Sequence, residues 1–384
     1  MPPQDTQPDN PPQQLHPYLR RLVDGETLSE SDAEAAFLAV LSGNADPAQI
    51  AALLALIQSR GVTPDELTGA ARVMRRFVTP VHVDQPLRDR LVDTCGTGGA
   101  PKAFNVSTAA AFIAAGVGLQ RRDQLGPAVL VAKHGNRSRT GRGSAEVLQQ
   151  LGVNLDADAQ RQARALREAA VCFCFAVRHH PAMKHAAGPR KSLGFPTLFN
   201  LLGPLTNPAD AQRQLIGVYH PAFLPLVAET LRRLGAARAT VAHGLDGLDE
   251  LTTTAPTQLA EVVAAPHGST TVRTRTIDAE RLGLPRTTIE RIRVESPQQS
   301  AALIQRLLTP DDRDRHDAAT SAAPLDEQTV AAARDIALFN AAAAIIVADA
   351  EPDFPQALDA ARHAIDSGAA LDALHTLRRI TNDA

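Results

Sequence analysis

Residues 91 to 116 read LVDTCGTGGAPKAFNVSTAAAFIAAG, an apolar run, then Gly96, Thr97, Gly98 and Gly99, then a polar cluster that opens a helical pattern. Glycines let backbone N–H groups approach an anion with no Cβ in the way, and a helix N-terminus adds unpaired donors and a favourable dipole. Asn105, Ser107 and Thr108 put side-chain donors at the same end. The chemistry this suits is phosphate binding. The plainer alternative is a tight strand-to-helix turn with Ser107 as its N-cap. No Gly-Lys-Ser/Thr follows, and the spacing is not that of a dinucleotide fingerprint.

Three further segments bear on that alternative. VAKHGNRSRTGRGS, residues 131 to 144, places Lys133, His134, Asn136, Arg137, Arg139 and Arg142 directly after an apolar run. A loop of neutral donors and a loop of positive charge together suit a polyanion such as a diphosphate. Lys133 is the strongest candidate in the second loop, whereas Arg139 and Arg142 fit a solvated connection equally well. In GLDGLDELT, residues 244 to 252, Asp249 and Glu250 are adjacent carboxylates. Beside a polyphosphate they suit Mg²⁺, which binds through one or two carboxylates plus phosphate oxygens; alone they would be ordinary surface acids. In residues 179 to 209, Arg190 offers a planar fork to a carboxylate. His179, His180 and His185 have no Cys or acid at ligand spacing, so no metal is assigned to them. Cys172 and Cys174 read as inert core thiols, and Phe195 to Pro208 as a structural turn and core-facing helix.

These residues need elements to hold them. Residues 1 to 15 are rich in Pro, Gln, Asp and Asn and read as a disordered tail. From His16 the pattern is helical: Ser29 or Ser31 caps one helix, Pro47 opens the next, and Thr63, Pro64 and Glu66 form a capping-box start for a third. The helical domain is predicted over 16–88 and an α/β domain over 89–384. In that second part apolar runs at Leu91–Cys95, Val129–Ala132, Val171–Val177, Gln214–Val218 and Ala239–Ala242 alternate with helical patterns at Ser107–Ala115, Ser144–Leu151, Asp158–Glu168 and Ala222–Leu234. Such alternation argues for a mainly parallel sheet covered on both faces, whose ligands lie at the carboxyl ends of the strands. Arg273 to Leu325 has no clear pattern, with Thr309 to His316 a solvated loop. Two helices, Asp326–Val347 and Ala357–Ser367, end the chain.

The whole is consistent with these parts. The chain has 384 residues, too many for one comfortable core. Its 39 basic and 42 acidic residues give a net charge of −3, and aromatics are 3% with no Trp. That balance argues against nucleic acid as a partner, which would call for basic excess or base-stacking rings. Three cysteines in apolar or loop settings give no disulfide framework, which predicts a reduced, cytoplasmic setting. The N-terminus is polar, and the apolar runs Thr108–Leu119 and Ala341–Ala348 fall short of a bilayer's thickness, so no membrane partner is expected.

Taken together, GTGG, FNVST, KHGNR, HPAMKHA, RK-x-LG, TLFNLLGPLTNPA and DGLDEL, in this order, resemble the anthranilate phosphoribosyltransferases of tryptophan biosynthesis. RDIALFNAAAAI and AIDSGAA resemble that family's closing helices, and the likeness runs from about Leu19 to the end. It implies a small N-terminal helical domain, joined by helices from about 150–190, plus a larger α/β domain of nucleoside phosphorylase/phosphoribosyltransferase type, usually a homodimer through the helical part. By the resemblance, Gly96, Gly99, Asn105, Val106, Ser107, Thr108, Lys133 and Ser144 bind phosphoribosyl pyrophosphate. Lys133 and Asn105 form the electrostatic site, and Ser107, Asp249 and Glu250 hold Mg²⁺. Gly96, Asn136 and Arg190 bind anthranilate, Arg190 through its carboxylate.

The chain departs from the family's pattern in places. Ala100 stands where Asp usually follows GTGG, and Ala103 where Thr or Ser usually precedes Phe-Asn. Arg139-Thr140-Gly141 replaces an apolar residue and a Ser-Ser pair, and Leu119–Ala128 is an extra loop. Arg139 or Arg142 is expected to take over part of the diphosphate's neutralisation. The alternatives are a pyrimidine nucleoside phosphorylase-like enzyme, which shares a Gly-rich loop and a Lys-His segment, and a nucleic-acid-binding relative without the metal acids. KHGNR and DGLDE favour the transferase over both.

Overall fold

The computed structural model describes residues 15–100, 103–124, 126–138, 141–310 and 326–383. They fall into two compact units, one up to Val78 with His180–Leu202, the other Thr79–His179 with Gly203 onward.

In the helical unit, His16–Val23, Glu30–Leu41, Pro47–Arg60 and Pro64–Arg76 are joined by Lys184–Leu193 and the short turn Phe199–Leu202. The starts follow the sequence signals. Ser29, not Ser31, accepts the Asp32 N–H, and Asp46 accepts the N–H groups of Ala48 and Gln49 ahead of Pro47. Thr63 and Glu66 exchange bonds of 3.3 and 3.0 Å in a full capping box. Glu66 is wholly buried, a costly place for a carboxylate, and it is satisfied by the Leu28 N–H at 3.1 Å and the Arg60 guanidinium. Leu15 is also buried, its N–H bonded to Gln49, so the Pro-rich tail expected over 1–15 ends by residue 14; residues 1–14 lie outside the described residues.

The unit boundaries differ from those read off the sequence. Residues 79–88 and the helix Ala159–Ala169 belong to the α/β unit, as does Ser144–Gln150 before it, and of the expected 150–190 only the part from His180 returns to the helical one, in a segment that runs to Leu202. The physical reason is burial: Ala145, Val147, Leu148, Ala165, Leu166 and Ala169 lie in the core around the sheet, as do Val81, Val83 and Leu87.

That sheet has seven strands, β1 (Leu91–Asp93), β2 (Leu130–Gly135), β3 (Val171–Phe175), β4 (Arg213–Gly217), β5 (Arg238–Gly244), β6 (Thr257–Ala264) and β7 (Thr270–Ile277). Their order is β3-β2-β1-β4-β5-β6-β7. The first five pair in parallel and match the expected runs to within a few residues, whereas β6 and β7 add antiparallel. This hairpin has no counterpart in the sequence reading. β7, TTVRTRTI, carries Arg and Thr because it closes the edge, where charge discourages further pairing; Arg275 bridges to Glu261 of β6 at 2.8 Å. The order reverses direction between β1 and β4, so the crevice of this sheet lies past their carboxyl ends.

Two nearly all-apolar helices, Val106–Gln120 and Glu327–Val347, lie in the core of this unit. The second is longer than the apolar run Ala341–Ala348 suggests, and by length and composition it could cross a membrane. Most of it is buried among the other elements of the unit, the signature of a core helix. The patternless stretch contains a further helix, Pro297–Leu308, and Ala369–Asn382 follows the helix Phe354–Asp366. Of the loop expected at Thr309 to His316, residues 311–316 lie outside the described residues.

The extra loop lies far from the crevice. The helix Val106–Gln120 absorbs its first two residues. Arg90, just before β1, then binds Asp123 at 2.7 Å and the carbonyls of Gly126 and Pro127 at 3.2 and 3.1 Å. Arg90 marks the amino end of β1 and Gly96 its carboxyl end, so the loop is fastened to the opposite edge of the sheet.

Candidate active site

Past the carboxyl end of β1 the chain turns through Gly98 (φ 65°) and Gly99 (φ 97°), a left-handed backbone that favours glycine. The Thr97 N–H donates to the Gly217 carbonyl at the end of β4 at 2.8 Å, which ties the loop across the sheet's reversal point. Gly96 has a second constraint, because a Cβ there would lie 3.3 Å from Asp249 Oδ2. Gly217 tolerates none at all: its Cβ would meet the Asp249 carbonyl oxygen at 1.6 Å. Three loops, after β1, β4 and β5, therefore close on one another through backbone that only glycine permits.

The helix after the glycine loop begins at Val106, with Asn105 as N-cap residue. Ser107 is thus in the first turn and is not the N-cap that the plainer turn alternative gave it. Asn105 makes no capping bond either, since its side chain is engaged elsewhere. Its Nδ2 donates to the Arg142 carbonyl at 3.3 Å and its Oδ1 accepts from Ser300 Oγ at 2.8 Å, while its own N–H donates to Ser300 Oγ at 3.0 Å. Ser300, on Pro297–Leu308, is one functional neighbour that sequence reasoning missed, because it lies in the stretch with no readable pattern.

Lys133 lies inside β2, which continues to Gly135, rather than after the strand. It is 3% exposed, and its Nζ donates to the Thr94 carbonyl at 3.2 Å and to Ser107 Oγ at 3.1 Å. Burial pulls its pKa down, and the nearby carboxylates Asp93 and Glu250 pull it part of the way back up. The Ser107 N–H faces the Glu250 carboxyl, which burial and the Asp249 charge push up to about 8. Burial also raises Asp249, against the Gly98 N–H that faces it. The helix N-terminus, the buried ammonium and both acids thus meet around Ser107, from segments far apart in the chain. A small cavity lined by Thr94, Gly96, Ser107, Gly217 and Glu250 lies among them.

Beneath this site Asp93 is fully buried, its Oδ1 accepting the His134 N–H at 3.0 Å, and burial raises it to about 6. Asp93, Cys95 and His134 bring ligand-type atoms within 4.8 Å of one another. His134 Nδ1 is paired with the Gly203 carbonyl at 3.0 Å, and burial lowers its pKa to about 4. These contacts fasten β2 to β1 and to residue 203.

The other expected residues are placed as follows. Thr108 is buried in the first helical turn. Ser144 opens its helix with Oγ against Gly135, where a Cβ would come within 2.3 Å. Asn136 is exposed, its Oδ1 accepting the Arg137 N–H at 2.8 Å. Arg142 is not in solvent and does not turn to the glycine loop: its guanidinium donates to the Val294 carbonyl and to Glu295 at 3.3 Å. This corrects the expectation that Arg142 stands in for missing hydroxyl donors. Arg139 and Thr140 lie outside the described residues. Arg190 belongs to the helical unit, where its guanidinium stacks over the Phe199 ring 5.1 Å from the centroid; burial lowers its pKa, and it has no acidic partner among the described residues. Cys172 and Cys174 are buried free thiols 3.8 Å apart in β3, and His179 bonds the Thr79 carbonyl, with no ligand cluster around either among the described residues.

Comparison with known proteins shows the family. Residues 88–371 match the glycosyl transferase family, a/b domain, and residues 16–78 match the glycosyl transferase family, helical bundle domain. The chain is 44% identical to the anthranilate phosphoribosyltransferase of Caulobacter vibrioides, over 95% of this chain and 97% of that one. The crystal structure of anthranilate phosphoribosyltransferase from Thermus thermophilus superposes with a TM-score of 0.80 at 34% identity, covering 95% of this chain and 99% of that one. The Saccharomyces cerevisiae enzyme in complex with PRPP and Mg shares the fold, with a TM-score of 0.78 at 22% identity, covering 96% and 97%.

Proposed function

The chain belongs to the anthranilate phosphoribosyltransferase family, and we propose how its own residues carry out that family's reaction. The reaction forms a bond from the amine nitrogen of anthranilate to C1 of the ribose, and the C1–O bond to diphosphate breaks with its electron pair leaving on the diphosphate. The aromatic amine is already neutral at pH 7 and sheds its proton after attack, so no general base is required. What the protein must supply is neutralisation of the leaving diphosphate while C1 gains positive charge.

One observation carries the assignment: around Ser107 a helix N-terminus, the buried Lys133 ammonium and the acids Asp249 and Glu250 converge. In this reading Gly96, Gly99, Val106, Ser107 and Thr108 line the site of phosphoribosyl pyrophosphate, with Asn105 and Ser144 at its border. Lys133 supplies fixed positive charge where water does not dilute it. Pre-positioned electrostatics of this kind is usually the largest single contribution to catalysis.

Asp249 and Glu250 fit a hard divalent cation. Two neighbouring, half-buried carboxylates are held together where poor solvation disfavours both charges, with Lys133 as the cation that eases Glu250. Mg²⁺ bound by them, with Ser107 Oγ as a further oxygen, would neutralise diphosphate oxygens. For the acceptor, Arg190 carries a half-buried guanidinium whose described contact is an aromatic face, which leaves its fork for the carboxylate of anthranilate. Asn136 and Gly96 are assigned to the same substrate. A cytoplasmic homodimer accords with the family resemblance, and sedimentation equilibrium tests the dimer.

The deciding experiment is loss of anthranilate fluorescence on adding phosphoribosyl pyrophosphate and Mg²⁺. Absence of turnover with anthranilate, alongside phosphorolysis of a pyrimidine nucleoside, would overturn the assignment in favour of the phosphorylase alternative.

A further inference from the structure

We propose that Asn340 is a positioning residue for Asp249 and Glu250, acting through the backbone of Leu251. The inference rests on the reading of those acids as metal ligands. Asn340 is the lone amide in the run ALFNAAAAIIV, and it is 1% exposed. A buried amide is costly unless its hydrogen bonds are made, and an aliphatic side chain would meet no such cost at this site. Here the amide is used almost fully. Nδ2 donates to the Leu251 carbonyl at 2.7 Å and to the Ile336 carbonyl of its own helix at 2.9 Å, and Oδ1 accepts the Leu251 N–H at 3.0 Å.

Two bonds to one residue fix more than its position. A single bond leaves the peptide free to rotate about the chain direction, whereas a donor and acceptor pair holds both its N–H and its C=O. Leu251 follows Glu250 directly, so its orientation sets the direction of the Glu250 side chain. At the other end the Asp249 carbonyl lies against Gly217, where no Cβ fits. The two acids therefore sit on a stretch anchored at both ends, by Gly217 below and Asn340 behind. Asn340 also lines the cavity shared by Thr94, Gly96, Ser107 and Glu250. A residue that only completed the core would not need to stand at that place.

The test uses Asn340→Leu, which removes both bonds at similar volume, and Asn340→Asp, which keeps the acceptor and loses the donor. Folding is checked by circular dichroism and thermal melting, turnover is measured against Mg²⁺ concentration, and phosphoribosyl pyrophosphate binding is measured by calorimetry with and without Mg²⁺. The expected result is a roughly tenfold rise in half-saturating Mg²⁺ and a similar weakening of the Mg²⁺-supported affinity, the scale of one lost hydrogen-bonded contact. Affinity without Mg²⁺ and the KM for anthranilate should move less than about twofold on the same argument. A folded variant with wild-type Mg²⁺ response, or one that weakens both substrates and both binding conditions alike, overturns the proposal. So does failure of both variants to fold, which would make Asn340 a folding residue. Asp249→Asn with Glu250→Gln separates the two levels. If that double variant keeps the wild-type Mg²⁺ response, the metal reading fails; if it loses the response while the Asn340 variants keep it, only the positioning role fails.

Discussion

Replacing Lys133 by Met removes one positive charge while keeping the length of the apolar stem. In the folded protein Nζ is held by the Thr94 carbonyl at 3.2 Å and Ser107 Oγ at 3.1 Å, in a slot where the residue is 3% exposed. Poor solvation lowers the pKa of this ammonium, but it also means that water does little to screen it from a diphosphate arriving at Ser107. Loss of one pre-positioned donor to developing negative charge costs about 3–4 kcal/mol in the transition state. At about 1.4 kcal/mol per tenfold, kcat should fall roughly 10²–10³-fold. Stability should change far less. The two lost hydrogen bonds cost roughly 1–3 kcal/mol, and relief from burying a charge offsets part of that, so the melting temperature should fall by only a few degrees. Initial rates come from anthranilate fluorescence at saturating substrates and Mg²⁺, and stability from a melting curve on the same sample. A kcat within about threefold of wild type would refute the electrostatic argument. Loss of activity together with a collapse of the melting temperature would make Lys133 a buried strut instead.

Asp249→Asn with Glu250→Gln should abolish Mg²⁺-supported turnover and yet stabilise the metal-free protein at alkaline pH. Glu250's folded pKa of about 8 lies above its ordinary 4.5, so its ionisation opposes folding: that cost is absent below the ordinary value, grows through the interval, and is fully present above about 8. The variant's melting advantage, followed from pH 5 to 9 without metal, should therefore widen with pH; an advantage that shrinks contradicts the assignment. Arg142→Ala should lower stability by roughly 1.5–3 kcal/mol through its lost bonds to the Val294 carbonyl and Glu295. Its KM for phosphoribosyl pyrophosphate should stay near wild type at low and high salt, and a salt-sensitive rise would restore a direct role at the diphosphate. Arg190→Ala should raise the KM for anthranilate about ten- to a hundred-fold, the worth of a charge-assisted bond, with little effect on phosphoribosyl pyrophosphate. Equal damage to both substrates would point to a structural role for its stack on Phe199.

The sequence by itself determined what is local. Helix starts at Ser29, Asp46 and Thr63 follow from side chains two or three residues ahead of the N–H groups they satisfy. The five parallel strands were legible because strands buried on both faces read as continuous apolar runs. The glycine loop and the polar start of the next helix lie within a dozen residues, so their juxtaposition at the strand's carboxyl end was legible too. The hairpin β6–β7 was not, because an edge strand meets solvent and needs no apolar signature. The unit boundary was misread because nothing in residues 79–88 or 144–169 says which core their apolar faces join. Tertiary structure alone decided that Asp249 lies against Gly96, that Ser300 holds Asn105, and that Arg142 turns to Val294. A lone Asn in an alanine-rich helix was a visible signal at Asn340, but its partner was not. Each of these contacts joins segments far apart along the chain, and the order of strands in the sheet decides which loops meet at its carboxyl edge. That order comes from packing whole elements against one another, a choice no short stretch of sequence contains.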